Sequence, residues 1–306
     1  MFLYANATTF GLHDLERALY HRVAPIQMSL NSHLPISPGF PSFDYFVTGR
    51  SDDPNAEVND AHHPETLLRV EGPVINFLHS LKPKKLAGFN RATLGLAEDD
   101  VVLMNGGSSQ KLRYEGLRTM LRALKAVPNG KLLLAPYNPG WAARSHAFVF
   151  NRQLAEAARE VGVAMDRIVV LGELSVPEAE AAIALSDIYL SSFPHGGATM
   201  THLALIYGTP PVVLRREFTR SIDQFLVSTL GFKQLLANTP DDYVALVRDL
   251  AADTARRKAL SDEIRQAAKN PPFVASTEFS ASMQQVVDTA LDEKYARLTA
   301  PPPGAS

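Results

Sequence analysis

The 306-residue chain contains no cysteine. This excludes a disulfide framework, a zinc site built on thiolates and a thiol nucleophile. The chain also has no Asp-x-Asp pair, and its Asp-Asp pairs (52–53, 99–100 and 241–242) lie at predicted turns or helix starts, where such residues act as caps. The segment "DAHHPE" at 60–65 is interpreted as a loop. We therefore predict no metal site and no cofactor.

The chain also lacks a large excess of charge of either sign, and it has no long apolar run. The formal net charge is -2, and Lys and Arg form no blocks. Binding to a nucleic-acid backbone needs a concentrated basic face, so no nucleic-acid partner is expected. No apolar run approaches the roughly 18 residues of a membrane span, and residues 1–10 lack the features of a signal peptide. These absences predict no membrane span and a cytoplasmic location.

The remaining composition is that of a globular protein, with 46% hydrophobic and 20% charged residues. Up to about Ala92 the chain is rich in Pro, His and Asn. Beyond that point strands and helices are predicted to alternate. The strand candidates are "DDVVLMNGG", "GKLLLAPYN", "DRIVVLGE", "DIYLSSFP" and "PPVVL", and the helical stretches are 114–127, 147–161, 177–186 and 199–207.

This alternation predicts an α/β fold with a parallel sheet covered by helices on both faces. Ligands of such sheets bind at the carboxyl ends of the strands, where the candidate loops fall. Residues 241–269 are interpreted as two amphipathic helices with a solvated face, and the end of the chain as a disordered tail. The expected domains are 1–92, 93–298 and a tail at 299–306.

The first candidate motif is "NGGSSQKL" at 105–112, which follows a strand and precedes a helix. Gly106 and Gly107 permit close backbone approach, while Ser108, Ser109 and Lys111 can face an anion. The spacing fits neither a Walker A loop nor a nucleophile elbow. A plain turn with a surface lysine fits the motif equally well.

The second motif, "SSFPHGGATMTH" at 191–202, places His195, Gly196 and Gly197 at the start of a predicted helix. Such a start carries free N–H groups and about half a positive charge, which suits a phosphate. His195 is a neutral donor or a cation near pH 7 and can meet a diphosphate without a metal. The alternative is that His195 only caps a turn. We interpret the motif as an anion site.

Five segments together resemble a known family, the GT-B glycosyltransferases that include the O-linked N-acetylglucosamine transferase catalytic region and the bacterial cytosolic N-glucosyltransferases of adhesins. They follow the family's order and cover most of the chain. The segments are "HRVAPIQMSLNSHLPISPGFPSFDYFVTG", "SSQKL" with "LKAVPNGKLLLAP", "DRIVVLGELSVPE", "FPHGGATMTHLALIYGTPPVV" and "LGFKQLLANTPDDYVALVRDLA".

The resemblance implies two facing Rossmann-like lobes, a UDP-sugar donor bound by the second lobe, a protein or peptide acceptor and no metal. Lys111 matches the family's lysine on the donor diphosphate. Ala198, Thr199 and Met200 match the helix start that holds the phosphates. Glu173, Leu174 and Ser175 match the loop along the uracil. His33 stands near a family histidine that faces the acceptor.

The chain departs from the family pattern in two ways. The acidic residue that grips the donor ribose falls at Leu203, which cannot hydrogen-bond a hydroxyl. The sequence also begins where the family already has most of its first lobe, so residues 1–92 are expected to form a partial acceptor-side lobe. The predicted mechanism is stabilisation of the leaving diphosphate by Lys111, the helix start at Thr199 and His195. The rival interpretation is an inactive nucleotide-sugar-binding module, or a half-transferase completed by a second chain.

Overall fold

The structure is a computed structural model that describes residues 1–4, 18–30, 39–50, 60–72, 74, 90–137, 145–215, 222–274 and 277–299. The chain divides into two compact units. The first unit comprises residues 1–79, 217–220 and 272–306, and the second comprises 80–216 and 221–271.

The first unit contains a parallel sheet of four strands in the order β1-β2-β3-β4. The last helix of the chain packs on this sheet, where Val286 and Ala290 join a buried cluster with Val47. The Tyr45 hydroxyl also donates to Glu293 Oε2 at 2.7 Å. This helix belongs to the first unit, although it was expected to be part of the 93–298 domain. The strands are β1 Phe2–Tyr4, β2 Gln27–Leu30, β3 Tyr45–Gly49 and β4 Thr66–Val70.

The second unit contains a six-stranded sheet in the order β10-β9-β8-β5-β6-β7, in which every pairing is parallel. All five strands predicted from the sequence are present. The short strand β10 was not predicted. The strands are β5 Val101–Asn105, β6 Gly130–Leu134, β7 Ile168–Val170, β8 Ile188–Leu190, β9 Pro211–Leu214 and β10 Leu236–Ala237.

Eight helices of the described ranges bound these sheets. They are α1 Tyr114–Lys125, α2 Ser145–Val161, α3 Val176–Ala184, α4 Thr199–Tyr207, α5 Ile222–Thr229, α6 Pro240–Ala252, α7 Thr254–Ala267 and α8 Thr277–Thr299. Local signals set several of these limits. Helix α4 ends at Gly208, which adopts a left-handed φ of 74°. Helix α6 begins after Thr239, whose side chain accepts from Asp242 N.

The core of the second unit explains the parallel sheet. All five residues of β5 are buried, so both faces of this central strand are covered. Met104, Leu133 and Tyr189 from three strands share one cluster with Ala204 of α4. Strands with two apolar faces require helices on both sides, and this confirms the α/β prediction. None of the helices in the described ranges is long and apolar enough to cross a membrane.

Candidate functional site

Two of the predicted loops lie side by side at the carboxyl edge of the second sheet. They follow β5 and β8, which are paired neighbours. Asn105, at the end of β5, is buried and joins them: its Nδ2 donates to the Leu190 carbonyl and its Oδ1 accepts from Gly107 N at 2.8 Å. The tertiary structure therefore brings the 106–111 and 191–200 segments together, as expected for strands that share an edge.

The glycines of the first loop allow this close packing. A Cβ atom on Gly106 would collide with the Cε atom of Met200. A Cβ on Gly107 would lie 3.0 Å from Asn105 Oδ1 and 3.1 Å from Ser192 Oγ. Both glycines thus serve the contact between the two loops.

Lys111 crosses from the first loop to the second. Its Nζ donates a hydrogen bond to the Gly196 carbonyl oxygen at 3.0 Å. Burial lowers the pKa of the Lys111 ammonium, and the carboxylate of Asp223 acts in the opposite direction. Lys111 is therefore not a surface lysine, and the interpretation of this motif as a plain turn with a surface lysine is wrong.

A tight turn separates Lys111 from the helix that follows. Ser108 O accepts from Lys111 N at 2.8 Å and from Leu112 N at 3.3 Å, and α1 begins only at Tyr114. Ser109 N donates to Pro136 O at 2.9 Å. Within the part of the chain that the structure describes, the buried Ser109 Oγ has no hydrogen-bond partner. The loop therefore presents a cation and an unsatisfied hydroxyl.

The start of α4 already holds an internal anion. Asp223 of α5 is fully buried, and its carboxylate accepts from Gly197 N at 2.8 Å and from Ala198 N at 2.7 Å. Ser191 Oγ donates to the same carboxylate. The expectation of free N–H groups is therefore wrong for Gly197 and Ala198. The N–H of Thr199 makes no hydrogen bond to any described residue.

Sequence reasoning missed Asp223 because nothing local marks it. It stands in "SIDQF", 26 residues after Gly197, where an acidic residue in a first helical turn is ordinary. A Cβ atom on Gly196 would collide with the same carboxylate. The glycine at 196 is thus required by a residue that is distant in sequence.

His195 contributes to the turn through its main chain. Its carbonyl oxygen accepts from Ser192 Oγ at 2.6 Å, and its side chain is partly buried. The alternative prediction, that His195 only caps a turn, thus agrees with the contact made by its main chain. His33, the other predicted histidine, lies outside the described residues.

The third predicted loop follows β7 at the same edge of the sheet. Strand β7 lies two strand spacings from β5, about 10 Å across the sheet. Glu173 is exposed, and Leu174 packs against the core. Ser175 precedes α3, and both its N–H and its Oγ donate to Glu178 Oε2, at 2.8 and 2.6 Å. Ser175 thus has a capping role in the structure.

Helix α4 continues from the turn into the core. Leu203 is buried in the cluster of the second unit, so its side chain is part of the packing. His202 is also buried, and burial lowers its pKa to about 4. An uncharged imidazole therefore precedes Leu203, the position at which the family that the chain resembles has an acidic residue.

Two residues of the "DAHHPE" segment at 60–65 contact other side chains. Asp60 forms an ion pair with Arg69, and the ring of His63 lies 5.1 Å from that of Phe46. In the described ranges, no three His, Cys, Asp or Glu side chains form a group that could hold a metal ion.

Comparison with known proteins identifies the family of this chain. The model of glycosyl transferase family 41 matches residues 79–283. A probable UDP-N-acetylglucosamine–peptide N-acetylglucosaminyltransferase, SPINDLY, from Hordeum vulgare is 24% identical over 269 residues. That match covers 86% of this chain and 27% of the relative. The SPINDLY protein of Eustoma exaltatum is 26% identical, with 86% and 28% covered. The chain thus spans little more than a quarter of these relatives.

Solved structures support the same fold. A mutant O-GlcNAc transferase from Thermobaculum terrenum superimposes with a TM-score of 0.75 at 20% identity, over 96% of this chain and 54% of that one. WaaG, a glycosyltransferase of lipopolysaccharide biosynthesis, gives a TM-score of 0.54 at 13% identity, over 89% and 80%. Both are glycosyltransferases, and the likeness establishes the GT-B fold. Because the family model covers most of the chain, the chain belongs to glycosyl transferase family 41.

Proposed function

We propose that this chain binds a UDP-sugar at the carboxyl edge of the second sheet and transfers a hexose or N-acetylhexosamine to a protein side chain without a metal. The observation that carries the proposal is the contact between Lys111 Nζ and the Gly196 carbonyl, at 3.0 Å. The contact puts a partly buried cation at the start of α4, on the side of the sheet where such folds bind ligands. A cytoplasmic location accompanies the proposal.

The diphosphate is assigned to the space between the two adjoining loops. Lys111 supplies a positive charge, the Thr199 N–H lies at the positive end of α4, and Ser109 Oγ is a buried hydroxyl without a partner among the described residues. A phosphate offers acceptors to all three groups. His195, in the same turn, is assigned a supporting contact.

The nucleoside is assigned to the third loop. Glu173, Leu174 and Ser175 follow β7, about 10 Å from the end of β5. This separation suits a nucleotide that lies across the strand ends, with its diphosphate at β5 and β8 and its base at β7. Because the Ser175 side chain caps α3, contacts to the base come from the backbone of this loop.

The chemistry required of these groups is stabilisation of a leaving group. In the transfer, the bond between the anomeric carbon and the β-phosphate oxygen breaks, and a bond from that carbon to the acceptor atom forms. The acceptor loses a proton, which is assigned to none of the described residues. Charge develops on the diphosphate, where Lys111 and the Thr199 N–H oppose it, and one such donor typically contributes about 100- to 1,000-fold in rate.

A second candidate function rests on a specific observation. Leu203 is buried in the core and provides no carboxylate for a donor ribose. This favours a module that binds a nucleotide sugar weakly, or a half-transferase that needs a second chain. The match covers 27% of the SPINDLY relative from Hordeum vulgare, and this partial coverage is compatible with that alternative.

The decisive test separates binding from transfer. We would titrate the purified chain calorimetrically with UDP, UDP-glucose, UDP-N-acetylglucosamine, GDP and a dinucleotide. We would then incubate it with each UDP-sugar and a mixed peptide library, and measure peptide mass shifts. Preference for UDP with a sugar-dependent mass shift supports the transferase. Binding without any shift supports the module, and preference for the dinucleotide contradicts both.

A further inference from the structure

Asp223 is a buried acid that the mechanism proposed above does not use. It is completely inaccessible, yet its carboxylate accepts from three donors: Gly197 N, Ala198 N and Ser191 Oγ. A carboxylate in this position is strongly held, because hydrogen bonds to a charged acceptor are shorter and stronger than neutral ones. The acid therefore fixes the backbone of the turn that precedes α4.

The turn is also held from its other side. Lys111 Nζ binds the Gly196 carbonyl, whereas a Cβ on Gly196 would collide with the Asp223 carboxylate. Gly196 thus lies between a cation and an anion. The two charges interact: burial lowers the pKa of the Lys111 ammonium, and the Asp223 carboxylate raises it.

The backbone in this turn is strained. Ala198 has a φ of 46°, the only positive φ of a residue other than glycine in the described part of the chain. Such a conformation is unfavourable for a residue with a Cβ atom and persists only where surrounding contacts impose it. The hydrogen bond from Ala198 N to Asp223 is one of these contacts. The next residue along the chain is Thr199, whose N–H is assigned to the diphosphate.

We propose that Asp223 is a positioning residue of the donor site, which holds the Gly196–Ala198 turn in its strained form opposite Lys111. The inference rests on the proposed function only for the identity of the ligand. The hydrogen bonds of Asp223 to the turn are independent of it.

The direction of the effect follows from two opposing terms. Loss of the Asp223 charge removes a repulsion on the diphosphate, but it also releases the turn and weakens Lys111 as a cation. The carboxylate is already matched by three donors, and so the loss of positioning dominates. Asp223→Asn removes the charge with little change of shape and brings an amide NH₂ into a site built for an acceptor.

The first experiment measures UDP and uridine affinity of Asp223→Asn. We expect the affinity for UDP to fall about tenfold or more, which corresponds to the loss of one hydrogen bond to a charged group. The affinity for uridine should change by less than about twofold. Asp262→Asn is the matched control, because it removes an exposed acid of the same unit that pairs only locally with Arg265. Tighter UDP binding by Asp223→Asn, or equal losses for both ligands, would overturn the positioning role.

The second experiment tests the coupling to Lys111 without any ligand. The Lys111 signal of ¹³C-labelled lysine, assigned by its loss in Lys111→Ala, is followed by NMR from pH 8 upward. This range avoids imidazole titration, such as that of His195 in the same turn. Tyr189 and Tyr243 also interact with Asp223, and burial raises the pKa of both phenols, which keeps them neutral.

We expect Asp223→Asn to move the Lys111 titration to lower pH, because the carboxylate raises the pKa of the ammonium. The alkaline limb of the UDP affinity profile should move by the same amount, with uridine measured in parallel to account for titration of the uracil. An unmoved Lys111 titration would show that Asp223 is merely structural. If the wild-type chain binds no UDP, the proposed function fails, while this titration still decides the coupling.

A second variant guards against misfolding of Asp223→Asn. Gly196→Ala keeps the charge but displaces the carboxylate. We expect Gly196→Ala to weaken the binding of UDP and to leave the affinity for uridine, the internal control, within about twofold of the wild type. Unchanged UDP binding in Gly196→Ala would contradict the proposal.

Discussion

Lys111 donates a hydrogen bond from its Nζ to the carbonyl oxygen of Gly196 at 3.0 Å, although the two residues are 85 positions apart in the sequence. The contact exists because β5 and β8 are neighbours and their following loops share one edge. It joins both glycine-containing motifs into one site. The predictions below test what this site binds and what holds it together.

Lys111→Ala should lower the affinity for UDP by about tenfold or more and change the affinity for uridine by less than about twofold. The reason is that an ammonium bound to a phosphate makes no contact with the nucleoside. Calorimetric titration of both ligands measures this. Lys125→Ala is a matched control, because Lys125 also donates to a backbone carbonyl, that of Val161, at 2.8 Å, but on the surface. Equal losses for both ligands would make Lys111 a structural residue.

UDP should bind equally well with and without an excess of a chelator. The described residues offer basic and backbone donors at the site and no group of ligands for a cation. Titrations with EDTA and with added Mg²⁺ or Mn²⁺ measure the effect. A loss of affinity in the chelator that either cation restores would contradict metal-independent binding.

Gly116→Ala should destabilise the protein, although Ala is usually better than Gly inside a helix by roughly 0.5–1 kcal/mol. A Cβ at this position of α1 would lie 2.9 Å from the Phe193 carbonyl oxygen, which is backbone and cannot move without shifting the second loop. We expect a lower melting temperature and weaker UDP binding. Gly172→Ala, where no atom lies within 4 Å of the added Cβ, should leave the melting temperature unchanged. A higher melting temperature for Gly116→Ala would show that the loop yields without cost.

Acid should destabilise the protein partly through His202. Its pKa is lowered to about 4 by burial, against 6.5 for the unfolded chain, so the unfolded state binds more protons between these values. The stability from the neutral imidazole is complete above pH 6.5 and is lost as the pH falls toward 4. From pH 7.5 to 4.5 this loss is about 2.5 kcal/mol.

His202→Gln removes the titration, and urea unfolding at both pH values gives the comparison. The pH dependence of the wild type minus that of the variant isolates His202 from other acidic groups. A difference close to zero would show that His202 takes up a proton as readily in the folded protein as in the unfolded chain.

The sequence by itself determined the local elements of the second unit. The predicted bounds of α4 agree with the observed ones, because Gly208 ends the helix through its own backbone conformation. Strands β5 to β9 were predicted from short apolar runs, since a strand buried on both faces leaves that pattern in the sequence. The four-stranded sheet of the first unit was not predicted, because its short strands lie among Pro- and His-rich segments without clear periodicity.

Only the tertiary structure decided which distant residues meet. The packing of α8 against the first sheet joins Tyr45 to Glu293, which are 248 positions apart. The start of α4 was predicted to be an open anion site. In the structure, the Asp223 carboxylate already accepts from two of its N–H groups, those of Gly197 and Ala198. Periodicity and caps report the conformation of neighbouring residues. The position of a side chain against a distant loop depends instead on how whole elements pack, and no local pattern records it.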